Sequence, residues 1–141
     1  MSNFYVCYSD EAQNDLRGIF MHIAYELGSR DNAEGQINRI RDAVKKLDKF
    51  PKRNPLVPYE PWASLGMRRL NVDNYAVLYV VDENNDRVEV VRIPFGAMDL
   101  DKFFEEEMTK VSPEALAARG GKLAISANKR ADPFGSAPSD R

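Results

Sequence analysis

The stretch MRRLNVDNYAVLYVVDENNDRVEVVRI, residues 67–93, decides the fold. Met67 to Val72 alternates apolar and polar side chains, the pattern of a half-buried strand. Tyr75 to Asp82 is almost continuously apolar and reads as a central strand. Arg87 to Ile93 returns after the polar turn ENND, residues 83–86. The links between these runs are short enough for an antiparallel meander of three strands.

Upstream, FYVCY (Phe4 to Tyr8) is a short β-branched and aromatic run that reads as a first strand. Asp10, with Gln13 three residues on, forms a capping-box pattern, and Ala12, Leu16, Ile19, Ile23 and Leu27 recur at helical spacing until Gly28. Asp31 with Glu34 opens a second helix carrying Ala33, Ile37, Ile40, Val44 and Leu47, which Pro51 stops. Prolines 51, 55, 58 and 61 then stiffen a loop. Downstream, Asp99 to Met108 makes a short helix with Leu100, Phe103 and Phe104 turned inward. The expected fold is therefore α+β: a small antiparallel sheet in the order β-α-α-β-β-β-α, with a helical hairpin on one face and the other face left for function.

Residues 1–108 make the expected domain. Composition then shifts to Ala, Gly, Ser and Pro, so 109–141 is expected to be a disordered tail in which only SPEALAARGG has helical character.

The chain has 141 residues, 43% hydrophobic and 30% charged, which suits one modest core. Cys7 is the single cysteine and cannot close an internal disulfide. No leader or long apolar run is visible, so a cytoplasmic location without membrane contact is expected. Net charge is −2, unlike a typical nucleic-acid binder. Its distribution is uneven: Arg39 to Arg69 holds nine basic against three acidic side chains, a surplus of six, and the remainder sums to −8. Lys45, Lys46, Lys49, Lys52 and Arg53 lie there, either as a face that meets phosphates or as a solvated helix surface.

Three segments, YVCYSDEAQNDLRGIFMHIA, YEPWASLGMRRLNVDNYAVLYVVDE and VEVVRIPFGAMDL, together resemble the RelE/ParE superfamily of toxins from type II toxin–antitoxin modules. The similarity covers about residues 4 to 104 and is densest around Gly66, Arg68, Val72, Asn74, Tyr75 and Tyr79. It implies a cognate antitoxin and one of two actions on one fold: ribosome-dependent mRNA cleavage in RelE-like members, or poisoning of DNA gyrase in ParE-like members.

RNA cleavage through the ribose 2′-hydroxyl, with no metal or cofactor expected, needs a base, an acid and cations for the phosphate. Glu60 matches a glutamate able to act as base, and Arg68 and Arg92 stand where the resemblance implies phosphate-holding arginines. By strand alternation Arg68 shares the face of Leu70 and Val72, opposite Arg69. Trp62 either stacks a base or covers the sheet edge, while Tyr75 and Tyr79 read as core and His22 as a surface residue. The turn after the last strand departs from the family pattern, approximately Tyr-Gly-Gly-Arg-Asp, because this chain has Phe95, Gly96, Ala97, Met98 and Asp99. Phe95 can stack on a base but has no hydroxyl to donate, and Met98 cannot hold a phosphate. Acid–base assistance is typically worth about 10²–10⁴ in rate, so the change predicts a slow nuclease or none. Three functions are expected in order: an mRNA interferase acting on ribosome-bound message; a non-catalytic inhibitor of a protein such as gyrase; and a degraded toxin that retains antitoxin binding.

Overall fold

A computed structural model describes residues 3–95 and 99–119. Its elements are β1 (Tyr5–Tyr8), α1 (Asp10–Met21), α2 (Arg30–Lys45), β2 (Arg68–Val72), β3 (Tyr75–Asp82), β4 (Arg87–Arg92), α3 (Leu100–Glu106) and α4 (Pro113–Arg119). The four strands form one sheet in the order β1-β4-β3-β2.

The meander forms as the sequence predicts, with β2 antiparallel to β3 and β3 to β4. The sheet is nevertheless mixed, because β1 runs parallel to β4, pairing Tyr5 with Arg87 through Tyr8 with Val90. A parallel pair needs a long crossover, and here the helical hairpin and two further strands lie between β1 and β4 in the chain.

The observed caps lie one and two residues before Asp10 and Asp31, the acidic residues expected to cap the two helices. Ser9 Oγ accepts from Ala12 N at 2.9 Å and donates to the Val91 carbonyl at 2.7 Å, so this buried hydroxyl both caps α1 and fastens it to β4. Ser29 caps α2 through Asn32 N. Between the helices α1 relaxes into a π-helical turn, His22–Glu26, before Gly28 turns the chain with φ at +75°.

The hairpin covers one face of the sheet. Ala12, Leu16 and Ile19 from α1 and Ile37, Ile40 and Val44 from α2 pack on Val77, Tyr79, Val88 and Val90. The opposite face is covered as well, which corrects the expectation that it stays open. Val57, Trp62 and Met67 from the proline-rich loop join Phe103 and Phe104 of α3, Met108 and Leu116 over Leu78 and Val91. The nearly continuous apolar run of β3 carries the physical reason: both faces of that strand need cover.

Residues 108–110 form a 3-10 turn, and α4 brings Leu116, 3% exposed, into this second core. The packed structure thus runs beyond residue 108, where the sequence suggested a tail. Residues 120–141 lie outside the described residues. Among the described residues no helix is long and apolar enough to cross a membrane.

Candidate functional site

The three side chains expected to cut RNA occupy different parts of the fold. Arg92, at the end of β4, donates Nε and an Nη to the two oxygens of Asp15 at 2.8 and 3.0 Å, and the same carboxylate accepts from Ile93 N at 2.8 Å. Both side chains are largely buried, at 17% and 15% exposed. The guanidinium also lies 5.0 Å from the Phe103 ring centroid and 3.8 Å from Glu107. It joins α1 to the layer on the opposite face, with its hydrogen-bonding fork already taken.

Arg68 pairs with Tyr79 across the β2–β3 ladder and shares the hairpin side of the sheet with it. Its guanidinium donates to the Asn54 carbonyl at 2.6 Å. Beneath it Tyr79 is fully buried; its hydroxyl donates to the Pro51 carbonyl at 2.6 Å and accepts from Asn54 at 3.0 Å, and burial raises its pKa. Arg68 and Tyr79 thus stitch the proline-rich loop to the sheet.

Glu60 is exposed, and its Oε1 accepts from Ser64 N at 3.1 Å, capping the turn that follows. Its neighbours Tyr59 and Trp62 pack in the second core. Glu60 therefore lies in the part of that loop packed over the second face, whereas Arg68 is on the hairpin side. Arg69, on the opposite face of β2 from Arg68, acts on Tyr59 through its charge, and its Nε is held by Asn71 Oδ1 at 2.7 Å. Strand alternation already placed Arg69 opposite Arg68, but nothing local said which face the Glu60 loop would choose.

Trp62 is only 5% exposed and has no free face for a base, so its covering role is the one realised. Tyr59 instead stacks on Phe104 at 4.2 Å between centroids and donates its hydroxyl to Asp101 at 2.5 Å. That hydrogen bond, with burial second, pushes the Tyr59 pKa up to about 12.

Lys45, Lys46, Lys49, Lys52 and Arg53 are all exposed. Lys52 meets Glu83 at 2.9 Å. Arg53 turns inward, donating to the carbonyls of Lys46, Lys49 and Phe50 at 2.7 to 3.4 Å. The sequence reading overlooked Phe50, which is 68% exposed and has left-handed backbone angles, φ 51° and ψ 53°. That conformation costs an L-residue about 1–2 kcal/mol.

Phe95 is 42% exposed and lies 5.6 Å from the His22 ring, which in turn contacts Glu26 at 2.7 Å. Gly96, Ala97 and Met98 lie outside the described residues, and with them the expected loss of a phosphate contact at Met98. Phe95 borders an open groove of about 500 Å³, with Ile23, Leu27 and Tyr75 as apolar walls and Gln36 and Arg39 on its polar side. There Asp73 accepts from Arg39 at 2.8 Å and Gln36 at 2.9 Å, and these bonds hold its carboxyl below the usual range. The groove has apolar walls and a polar flank, and none of the expected catalytic groups lines it.

The family model described as "ParE toxin of type II toxin-antitoxin system, parDE" matches residues 6–100. Among solved structures, "Chromosomal ParDE TA system from P. aeruginosa" is similar with a TM-score of 0.53 and 22% identity, over 64% of this chain and 92% of that one. The toxin RelE of E. coli, an arginine-to-alanine double mutant in the free state, is similar with a TM-score of 0.51 and 13% identity, over 79% of this chain and 100% of that one. At these identities the two structures establish a common fold. No curated protein sequence matches the chain. The family model spans well over half the chain, with the fold it requires, and the chain belongs to the ParE toxins of type II toxin–antitoxin systems within the RelE/ParE superfamily.

Proposed function

We propose that this toxin acts by binding and inhibiting a protein target, as the resemblance implies for gyrase-poisoning ParE-like members, and that a cognate antitoxin neutralises it. This reverses the order of the two leading sequence-based expectations. The observation that carries the reading is the ion pair of Arg92 with Asp15. A phosphate would have to displace a carboxylate already bound at both oxygens, and that carboxylate also holds Ile93 N. Glu60, which caps a turn in its loop, and Arg68, which holds the Asn54 carbonyl from β2, add support because each already serves the fold. Inhibition by binding requires only an accessible surface.

Two assays on the full chain test this. One maps cuts by primer extension in a defined message on ribosomes, and the other follows DNA supercoiling by purified gyrase. The expected result is an uncut message and slowed supercoiling that is relieved when antitoxin is added. Cuts in the decoding site that vanish in both Glu60→Ala and Arg68→Ala would overturn the reading in favour of an mRNA interferase.

A further inference from the structure

Phe50 combines two unfavourable features. Its backbone is left-handed, a region where bulky L-residues are outliers, and its ring gains little burial in return. The surroundings impose that conformation from several sides. Pro51 is buried, and its carbonyl is anchored by the Tyr79 hydroxyl. Arg53 gathers the carbonyls of Lys46, Lys49 and Phe50. The Asp48 carbonyl accepts from Phe4 N at 2.7 Å, tying the preceding turn to the start of β1. A rigid loop thus lifts one aromatic ring into solvent.

The ring stands in a cationic stretch. Lys46 and Lys49 are exposed and form no ion pair among the described residues, while Lys52 is shared with Glu83. Asp48 is the acidic side chain nearest in sequence. Backbone strain that persists without burial is a marker of a site under functional constraint.

We propose that this tip binds single-stranded nucleic acid, with an unpaired base stacked on Phe50 and the flanking phosphates on Lys46 and Lys49. The protruding ring is suited to stack on a flat face, and the lysines favour a partner that is anionic beside that face. An unpaired nucleotide supplies both, whereas a duplex hides its bases. Arg53 is excluded from the phosphate contacts because its guanidinium serves the backbone. The inference stands apart from the protein target proposed above and would hold whichever target the toxin poisons.

The test is fluorescence anisotropy of the full chain with short labelled single-stranded RNA and DNA across a salt series, beside urea unfolding of each variant. Phe50→Ala is expected to weaken binding roughly 5- to 100-fold, and Phe50→Trp to retain it. Lys46→Ala and Lys49→Ala should each flatten the logarithmic salt dependence by about 0.7. Phe50→Gly should lose binding while unfolding at the same or higher urea concentration, because glycine adopts the left-handed conformation freely. Several results would overturn the proposal: wild-type affinity in Phe50→Ala, equal affinity for a duplex of the same length, binding only to anionic lipid vesicles, or loss of stability in Phe50→Gly, which would make the ring a structural element.

Discussion

Asp15 and Arg92 form a hydrogen-bonded ion pair that bridges the two sides of the sheet. Asp15 projects from α1 in the helical hairpin, while the Arg92 guanidinium reaches Phe103 and Glu107 in the C-terminal layer. Removing one partner from a largely buried pair leaves the other charge without compensation. Asp15→Ala should therefore cost about 2–4 kcal/mol in urea unfolding, and more than Glu107→Ala, whose contact with Arg92 is longer and more exposed. In a double-mutant cycle with Arg92→Leu, a coupling of at least about 1 kcal/mol is expected. If the two changes simply add, the pair is a surface contact, and Arg92 becomes free to serve a phosphate.

The same pair shows how far the sequence could be read. Periodicity located both helices and the meander, because these depend on local patterns of apolar side chains. Asp15 lies off the apolar stripe of α1, between Ala12 and Leu16 of the core, so no local rule paired it with an arginine 77 residues away. The observed caps precede the acidic residues for a related reason. Asp10 and Ser9 are both good capping residues, and Ser9 prevails because its hydroxyl can also reach the Val91 carbonyl, a tertiary contact. The parallel edge strand was hidden in the same way, since pairing partners across the chain leave no trace in a four-residue run. The covered second face was legible in principle: the unbroken apolar run of β3, with Phe103 and Phe104 downstream, already required two layers. Whether the candidate catalytic residues converge depends on face and loop direction, which are global properties of the fold and leave no local signal in the sequence.

Tyr59 and Asp101 give the fold a sensitivity to alkaline pH. The Tyr59 hydroxyl donates to Asp101, and the neutral phenol is favoured enough to push its pKa from 10.0 up to about 12. A group whose folded pKa exceeds its unfolded value contributes stability that is present below the unfolded pKa and lost as pH rises through the folded one. The contribution of Tyr59 should therefore be intact below about pH 10 and disappear between about pH 10 and 12. The hydrogen bond of the phenol lies at the surface, so the effect on global stability is small. Ultraviolet titration of tyrosinate provides the clearer readout. Asp101→Asn should move one tyrosine back toward pH 10, and an unchanged titration curve would show that the hydrogen bond is not formed in solution.

Leu116 tests where the folded unit ends. It is 3% exposed and packs with Phe103, Phe104 and Met108 in the second core, although the composition after residue 108 suggests a tail. Truncating a buried leucine removes its transfer free energy and leaves a cavity, and the cost depends on how far the neighbours can collapse. Here the neighbours are two aromatic rings fixed by contact with each other, edge to face at 5.8 Å, and by Tyr59, so collapse is restricted. Leu116→Ala should cost about 2–4 kcal/mol. A chain ending at residue 108 should lose at least as much, because it forfeits Val111 as well as Leu116. Urea unfolding of the three proteins decides the matter. Equal stability of the full and shortened chains would place the end of the domain at residue 108 and make α4 a helix that rests on the core without supporting it.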